Sequence, residues 1–154
     1  MEEAGQDRYP SGEPARRMKV ELFCLCDAAT EAGGKLNVLG AFDRIWAREA
    51  PVSITHCAVA ARIRFSRTEE GAHRLRITFA DDDGKLVLPP MESTIELRFS
   101  NQDLSIPINL IMLMPQLKLP RFGDYTIDLA LDANHLSSLP LMVRHVPEPQ
   151  PPHA

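Results

Sequence analysis

An alternation of apolar and polar side chains constrains this chain more than any other feature of its sequence. In ITHCAVAARIRF, residues 54–65, one set of alternate side chains is apolar, whereas Arg62 and Arg64 belong to the other set. Successive side chains of a β-strand point to opposite faces of a sheet, so this pattern predicts a strand with one buried face. HRLRITF (residues 73–79) and STIELRF (residues 93–99) repeat it. The residues predicted to point inward are Cys57, Val59, Ala61, Ile63, Phe65, Leu75, Ile77, Phe79, Ile95, Leu97 and Phe99.

Similar strand patterns fill most of the chain between Met18 and Val146. KVELFCLC (residues 19–26) is apolar on both faces, which predicts a strand covered on both sides, and Gly40 predicts a bulge in the next strand. PINLIMLM (residues 107–114) is also apolar on both faces and is predicted to be central in its sheet. Seven or eight short strands, with no amphipathic pattern of ten residues, predict an all-β fold: a two-sheet antiparallel sandwich.

One segment resembles the start of a strand in immunoglobulin-like sandwiches. In LPRFGDYTIDLALD (residues 119–132), Gly123 stands two residues before Tyr125, and alternating apolar residues follow. In a tyrosine corner, the Tyr hydroxyl bonds to the backbone a few residues upstream and fixes the entry of the strand. We therefore assign structural roles to Gly123 and Tyr125 and expect an immunoglobulin-like sandwich.

The composition bounds the domain and its surroundings. Residues 1–17 are polar, and residues 147–154 are rich in Pro, so both are predicted to be disordered around one domain at residues 18–146. A formal net charge of −4 argues against nucleic-acid binding. There is no secretory h-region, and the longest strongly apolar run, residues 110–114, is too short to span a membrane. Three cysteines, an odd number, predict reduced thiols and a cytoplasmic protein.

Few residues suggest chemistry. Cys24, Cys26, Cys57 and His56 could form a soft-metal site, but alternation puts His56 on the face opposite Cys57, and buried thiols are the expected interpretation. The acidic turn at residues 81–84 fails the ligand pattern of an EF-hand loop, although a looser calcium site stays open. The motifs of phosphate-binding loops, serine hydrolases and zinc proteases are missing. We therefore predict no catalytic residue, no metal and no cofactor.

Four arginines form the most unusual feature. If their two strands make a hairpin with matched inner faces, Arg64 lies opposite Arg76, with Arg62 and Arg74 close by. Like charges that face each other across strands are unfavourable. A carboxylate such as that of Glu96, or an anionic partner or ligand, would neutralise them. Arg62, Arg64, Arg74 and Arg76 are therefore a candidate face for an anion or a partner; the alternative is a solvated, partly paired outer face.

Most of the folded region resembles a bacterial family of small β-sandwich proteins known only as a domain of unknown function. The resemblance covers residues 18–144 and implies no catalytic residue, ligand or partner. Because such proteins begin near MKVEL, it also implies that residues 1–17 are an extension and that Met18 is the initiator. The segments that carry it are MKVELFCLCDAATEAGGKLNVLGAFDRIWA, CAVAARIRF, EEGAHRLRITFADDDGKLVLPP, LKLPRFGDYTIDLALD and SLPLMV.

These observations favour a non-enzymatic binding or scaffold module that acts through protein–protein interaction, with a protein partner and without nucleic acid or membrane. The loops or a free sheet edge would contact the partner. One alternative is a small-anion ligand-binding protein or enzyme that uses the Arg-rich outer face. Another is a structural subunit of a larger assembly, in which exposed Trp46 and Phe23 would make the first contacts.

Overall fold

The computed structural model describes residues 18–152. Within them it has nine β-strands, one short 3-10 turn at Arg67–Glu69 and no α-helix, and so no helix that could cross a membrane. The predicted disorder of residues 1–17 lies outside the described residues, as do positions 153–154 of the tail; residues 147–152 are exposed and have no regular structure. The strands are β1 (Lys19–Ala32), β2 (Lys35–Ala41), β3 (Arg44–Ala47), β4 (Val52–Ser66), β5 (Gly71–Asp81), β6 (Met91–Leu97), β7 (Ser105–Leu119), β8 (Gly123–Leu131) and β9 (Asn134–His145).

The strands form two sheets. The first sheet has the order β2-β1-β4-β7, and the second has the order β3-β9-β8-β5-β6. Neighbouring strands are antiparallel except β3 and β9, which are parallel. The all-β class and the two sheets are confirmed; the described residues form nine strands rather than about seven or eight, and one neighbouring pair of the predicted antiparallel sandwich, β3 with β9, is parallel. β3 has only four residues, too few to show an alternation in the sequence.

The core lies between the two sheets and confirms the period-two pattern. Ile63 of β4, Leu75 and Ile77 of β5 and Leu97 of β6 each expose at most 2% of their surface. Complete burial of such a side chain contributes about 1.5–3 kcal/mol. Because these residues alternate with polar ones, each strand can bury one face and keep the other in water.

β7 departs from the prediction that it is central in its sheet. It is the outermost strand of the first sheet and, within residues 18–152, pairs with β4 alone. Its inner face packs against the core, and Ile111 on the opposite face packs against a second, smaller apolar cluster. Both faces of β7 are therefore apolar because one packs on the core and the other on the second cluster, and not because β7 is central in its sheet.

The second cluster lies on the outer face of the first sheet. Cys26, Ala58 and Ala60 are buried there to 1% exposure or less, and Leu36 and Val38 of β2 pack against them. This burial confirms that β1 is covered on both sides. The small side chains of Ala58 and Ala60 let another segment approach the sheet closely.

That covering segment is the β1–β2 hairpin from residue 27 to residue 41, which we call the hairpin arm. At its tip, the carbonyl of Gly34 accepts hydrogen bonds from Arg62 Nη1 (3.5 Å) and Asn109 Nδ2 (3.1 Å). Arg62 and Asn109 face each other on β4 and β7. The hairpin arm therefore bends back across the outer face of its own sheet.

Gly40 lies where the hairpin arm begins to bend. Its φ of +66° is in the region that L-residues rarely adopt, and a Cβ there would collide with the carboxylate of Asp27. The β1–β2 ladder keeps its register on both sides of this position, from Cys26–Ala41 to Ala28–Leu39. The predicted bulge is therefore wrong: Gly40 serves a close approach within a regular ladder.

Tyr125 fixes the start of β8. Its hydroxyl donates a hydrogen bond to the carbonyl of Arg121 (2.6 Å) and accepts one from the N–H of the same residue (3.2 Å). The side chain is 2% exposed, and Gly123, which opens the strand, has a φ of +142°. A hydroxyl bonded to backbone four residues upstream is the contact that defines a tyrosine corner.

We expect Gly40→Ala to lower the free energy of unfolding by about 1–3 kcal/mol more than Gly34→Ala. Both positions have positive φ and share the backbone penalty of about 1–2 kcal/mol, but only Gly40 has a neighbour, Asp27, in the way. Urea unfolding of both variants measures the difference. Equal losses would contradict the close packing of the hairpin arm.

We expect Tyr125→Phe to lower the free energy of unfolding by about 1–3 kcal/mol, because it removes the hydrogen-bond partner of the partly buried carbonyl and N–H of Arg121. Thr126→Val, on the exposed face of the same strand, is the control and should change it by less than about 0.5 kcal/mol. Urea unfolding measures both. An unchanged Tyr125→Phe variant would show that water replaces the hydroxyl at no cost.

Candidate functional site

The four arginines do not form the predicted hairpin face. β4 belongs to the first sheet and β5 to the second, so the pairing of Arg64 with Arg76 is wrong. Arg64 lies opposite Lys19 and Pro107, whereas Arg76 lies opposite Glu92 and Ala130. The turn between the strands carries the chain from one sheet to the other instead of folding it back. The structure thus keeps Arg62 with Arg64 and Arg74 with Arg76, but separates the two pairs.

Neighbouring groups of the protein already engage these arginines. Arg64 donates to Glu21 (2.8 Å) and to Ser105 (3.1 Å). Arg62 donates to Asn109 (2.9 Å), and its guanidinium lies 3.8 Å from Glu21. In the second sheet, the guanidinium of Arg76 lies 3.9 Å from Glu92, and Arg74 donates its backbone N–H to Asp132 (2.9 Å). The predicted carboxylate, Glu96, instead lies 3.6 Å from Arg98. Glu21 and Glu92 thus offset the charge of Arg62, Arg64 and Arg76, whereas the contact of Arg74 is made by its backbone and does not offset its guanidinium charge.

An acidic turn lies at the end of β5. The carboxylates of Asp81, Asp82 and Asp83 lie within 4.8 Å of one another, the only such acidic, thiol or imidazole group in the described residues. Nη2 of Arg121 lies among them at 3.3, 2.6 and 3.0 Å respectively. Hydrogen bonding to Asp83 and the charge of Asp82 raise the pKa of Arg121. Because Arg121 also anchors Tyr125, this ion pair joins the turn after β5 to the tyrosine corner.

A groove of about 770 Å³ runs beside that ion pair. Pro51, Leu86, Val87 and Pro120 give it apolar walls, and Lys118 is among its polar lining groups. The groove is shallow, and three of its polar lining residues, Asp81, Asp83 and Arg121, are engaged with one another.

His73 and Asp132 form a pair that the sequence analysis missed. Nδ1 of His73 lies 2.6 Å from the Asp132 carboxylate, and Nε2 lies 2.5 Å from the carbonyl of Glu69. Both oxygens only accept hydrogen bonds, so this geometry fits a ring protonated on both nitrogens. Burial by itself lowers the pKa of His73, but these two hydrogen bonds outweigh it, and the pKa is raised.

This His–Asp pair resembles part of a catalytic triad but is closed to substrate. A general base needs one ring nitrogen free to take a proton, and both nitrogens of His73 are engaged. The ring also stacks on buried Phe65, with 5.9 Å between ring centroids. The sequence holds no local signal for the pair, because His73 and Asp132 are brought together only by the pairing of β5 with β8.

The three cysteines are free thiols on opposite faces of the first sheet. Cys57 is in the core, whereas Cys24 and Cys26 contact the outer cluster. Burial raises the pKa of all three, for Cys26 to about 11. A raised pKa keeps a thiol protonated, and metals bind the thiolate, so these residues are poorly placed as ligands. His56 is exposed.

Trp46 and Phe23, the two aromatic residues expected to contact an assembly, differ in how far their side chains are exposed. Trp46 is 53% exposed and lies beside the guanidinium of Arg44, at 5.8 Å from the ring centroid. Phe23 is partly buried and packs against the core. The prediction of an exposed Phe23 is therefore wrong, because its side chain is on the inner face of β1.

The free edge of β7 has no charged side chain over most of its length. The strand has 15 residues, and from Ser105 to Gln116 none of them is charged. β6, at an edge of the second sheet, displays Glu92 and Glu96 toward solvent. Charged side chains keep other strands from pairing with a sheet edge, so β7 lacks the protection that β6 has.

The positions of two prolines establish which backbone groups point to this edge. Pro107 lies opposite Arg64 and Pro115 opposite His56. Proline has no N–H, so neither pair can exchange the two hydrogen bonds of a bonded pair, and both must be non-hydrogen-bonded pairs. Bonded and non-bonded pairs alternate along the strand. Every second residue of β7, counted from Pro107, is therefore also in a non-hydrogen-bonded pair and turns its N–H and C=O away from β4. Between the prolines, the residues whose N–H and C=O point away from β4 are Asn109, Ile111 and Leu113.

Two of the three side chains beside these open backbone groups, those of Ile111 and Leu113, are apolar and partly or largely exposed. Leu113 is 72% exposed, and Ile111 is partly buried against the outer cluster. The site is therefore a strip of three open residues, closed at each end by a proline. Its signal in the sequence is the uncharged run itself, which on its own equally predicts a central strand.

We expect the free energy of unfolding to fall as pH rises from 6 to 9, and to fall less in His73→Gln. A histidine whose folded pKa is raised stabilises the fold below its unfolded pKa of about 6.5, and this stabilisation is lost as pH rises through the folded pKa. Urea unfolding at both pH values measures the slope, with His56→Gln, an exposed histidine, as control. Equal slopes in wild type and His73→Gln would contradict the assignment.

The comparisons agree with the resemblance seen in the sequence. A family model described as "Family of unknown function (DUF6941)" matches residues 21–144, most of the chain. A search of curated proteins found none that matches the chain. The chain therefore belongs to this family of unknown function.

Proposed function

We propose that the chain is a non-enzymatic binding module that acts through protein–protein interaction, and that its partner adds a β-strand to the free edge of β7. The observation that carries the proposal is the strip of open backbone groups at Asn109, Ile111 and Leu113 on an edge without charge. Strand addition uses main-chain hydrogen bonds for affinity and the neighbouring side chains for specificity.

The polar clusters support a binding role over an enzymatic one. Both ring nitrogens of His73 are engaged, and Arg121 lies among the three carboxylates of the acidic turn. Burial raises the pKa of the thiols and so disfavours a nucleophilic thiolate. In each case the group with catalytic potential stabilises the fold instead.

We also propose that the sandwich is immunoglobulin-like. The order β6-β5-β8-β9 corresponds to strands C′, C, F and G of a variable-type domain, and β1-β4-β7 to strands A, B and E. The tyrosine corner then falls at the start of strand F, where such domains carry it. The disulfide that joins strands B and F in antibody domains has no counterpart in β4 and β8, since Cys57 of β4 is a free thiol.

A cytoplasmic setting belongs to the same proposal. The three thiols within residues 18–152 are free, as expected in a reducing compartment. The resemblance to a bacterial family supports a bacterial cytoplasm.

We expect Leu113→Lys to abolish capture of protein partners from a native lysate, and Leu104→Lys to leave capture unchanged. Lys at a sheet edge opposes strand addition. The two leucines are a matched pair, 72% and 82% exposed, and only Leu113 adjoins the open strip. Mass spectrometry of the captured proteins measures the effect. The same proteins captured by both variants, or none captured by a wild type that is also monomeric, would contradict the proposal.

A further inference from the structure

We propose that the strand added to β7 is β7 of a second copy of this chain, in a two-fold symmetric, antiparallel pairing centred on Ile111. This inference rests on the proposed function and names the partner of the same edge. The protein would then be a dimer in which two four-stranded sheets join into one continuous sheet of eight strands.

The two prolines make the edge complementary to itself. Pro107 and Pro115 each lie four residues from Ile111, so a two-fold axis there places Pro107 opposite Pro115 of the second copy. Asn109 then faces Leu113 of the second copy, and Ile111 faces Ile111. This is the register in which all three open residues of one copy pair with open residues of the other.

The backbone groups fit this register. Residues whose N–H and C=O point to the same edge form bonded pairs when a second antiparallel strand is added. The three facing pairs would each exchange two hydrogen bonds, and the ladder would end where proline faces proline. The prolines thus limit the contact to a short stretch. Two-fold pairing also uses both β7 edges, so it closes at two copies and does not grow into a fibre.

The side chains of β7 also fit the two-fold register centred on Ile111. Two copies of the segment from Ser105 to Gln116 meet without opposing charges, because the segment has none. On the outer face, Ile111 meets its own copy, and exposed Leu113 faces Asn109 of the second copy with Ile111 of that copy diagonal to it. On the inner face, Leu110 and Met112 are only partly buried where β7 borders the core, and an added strand would cover them. By contrast, pairing β6 with itself would bring Glu92 and Glu96 toward their own copies.

The first test is the mass of the purified full chain in sedimentation equilibrium. We expect wild type and Leu104→Lys to have twice the mass of one chain, and Ile111→Pro to dissociate with a dissociation constant higher by about ten-fold or more. Ile111→Pro removes one edge N–H from each copy and leaves the ladder with β4 intact, because that N–H points away from β4. Circular dichroism checks that the variant retains its strands.

Cysteine cross-linking tests the register and does not depend on Ile111→Pro. A bonded antiparallel pair has a Cα–Cα distance near 5.5 Å, within the range of a disulfide. We expect Ile111→Cys to form a covalent dimer on mild oxidation. Leu113→Cys alone should not, because the two copies of that residue are roughly 13 Å apart along the strands. A mixture of Leu113→Cys with Asn109→Cys should cross-link, with oxidised wild type as the background for the three native thiols.

The outcomes separate this inference from the proposed function. A monomeric wild type whose captured partners are lost in Leu113→Lys would overturn the dimer and leave the binding role standing. A dimer unaffected by Ile111→Pro, or cross-linked equally well through Leu113→Cys alone, would overturn the β7 register. A monomer that captures nothing would overturn both.

Discussion

The burial of β4 on both faces is the constraint on which the rest of the structure depends. Its inner face, with Ile63 and Phe65, packs against the second sheet, and its outer face, with Ala58 and Ala60, lies under the hairpin arm. The strand can be buried twice because the outer residues are small. β1 and β7 then satisfy its backbone on both sides. A larger side chain at Ala58 or Ala60 would push the hairpin arm from the sheet, with overpacking costs of about 1–3 kcal/mol.

The hairpin arm also explains why one edge stays open. It folds across the outer face, and its tip reaches only as far as Asn109 of β7, through the carbonyl of Gly34. The next outward-facing side chains along β7 show the limit of this cover, since Ile111 is partly buried and Leu113 is 72% exposed. The same element therefore completes the outer cluster and leaves beside it the strip of open backbone groups proposed here as the binding site.

The polar groups that look reactive in isolation, His73 and Arg121, connect separate loops through hydrogen bonds. His73 joins Asp132 to the carbonyl of Glu69, and Arg121 joins the acidic turn to the corner made by Tyr125. Each of these connections satisfies several donors and acceptors where the chain passes between sheets or enters a strand, and so removes the free lone pairs and protons that chemistry requires. Stability and catalysis compete for the same groups, and here they are used for stability.

The sequence by itself determined which side chains of the alternating strands are buried. Alternation placed Ile63, Leu75 and Leu97 in the core, because a strand directs its side chains by a local rule that needs no knowledge of neighbours. Only the tertiary structure decided which strands pair. It sent β5 to the other sheet, which separated Arg64 from Arg76, and it put β7 at an edge although both its faces are apolar. Pairing depends on how the connecting turns carry the chain between sheets and on what covers each face, and neither is encoded within one strand. The candidate site was missed for the same reason: an uncharged run with two prolines becomes an open edge only when nothing in the described fold pairs with its outer side.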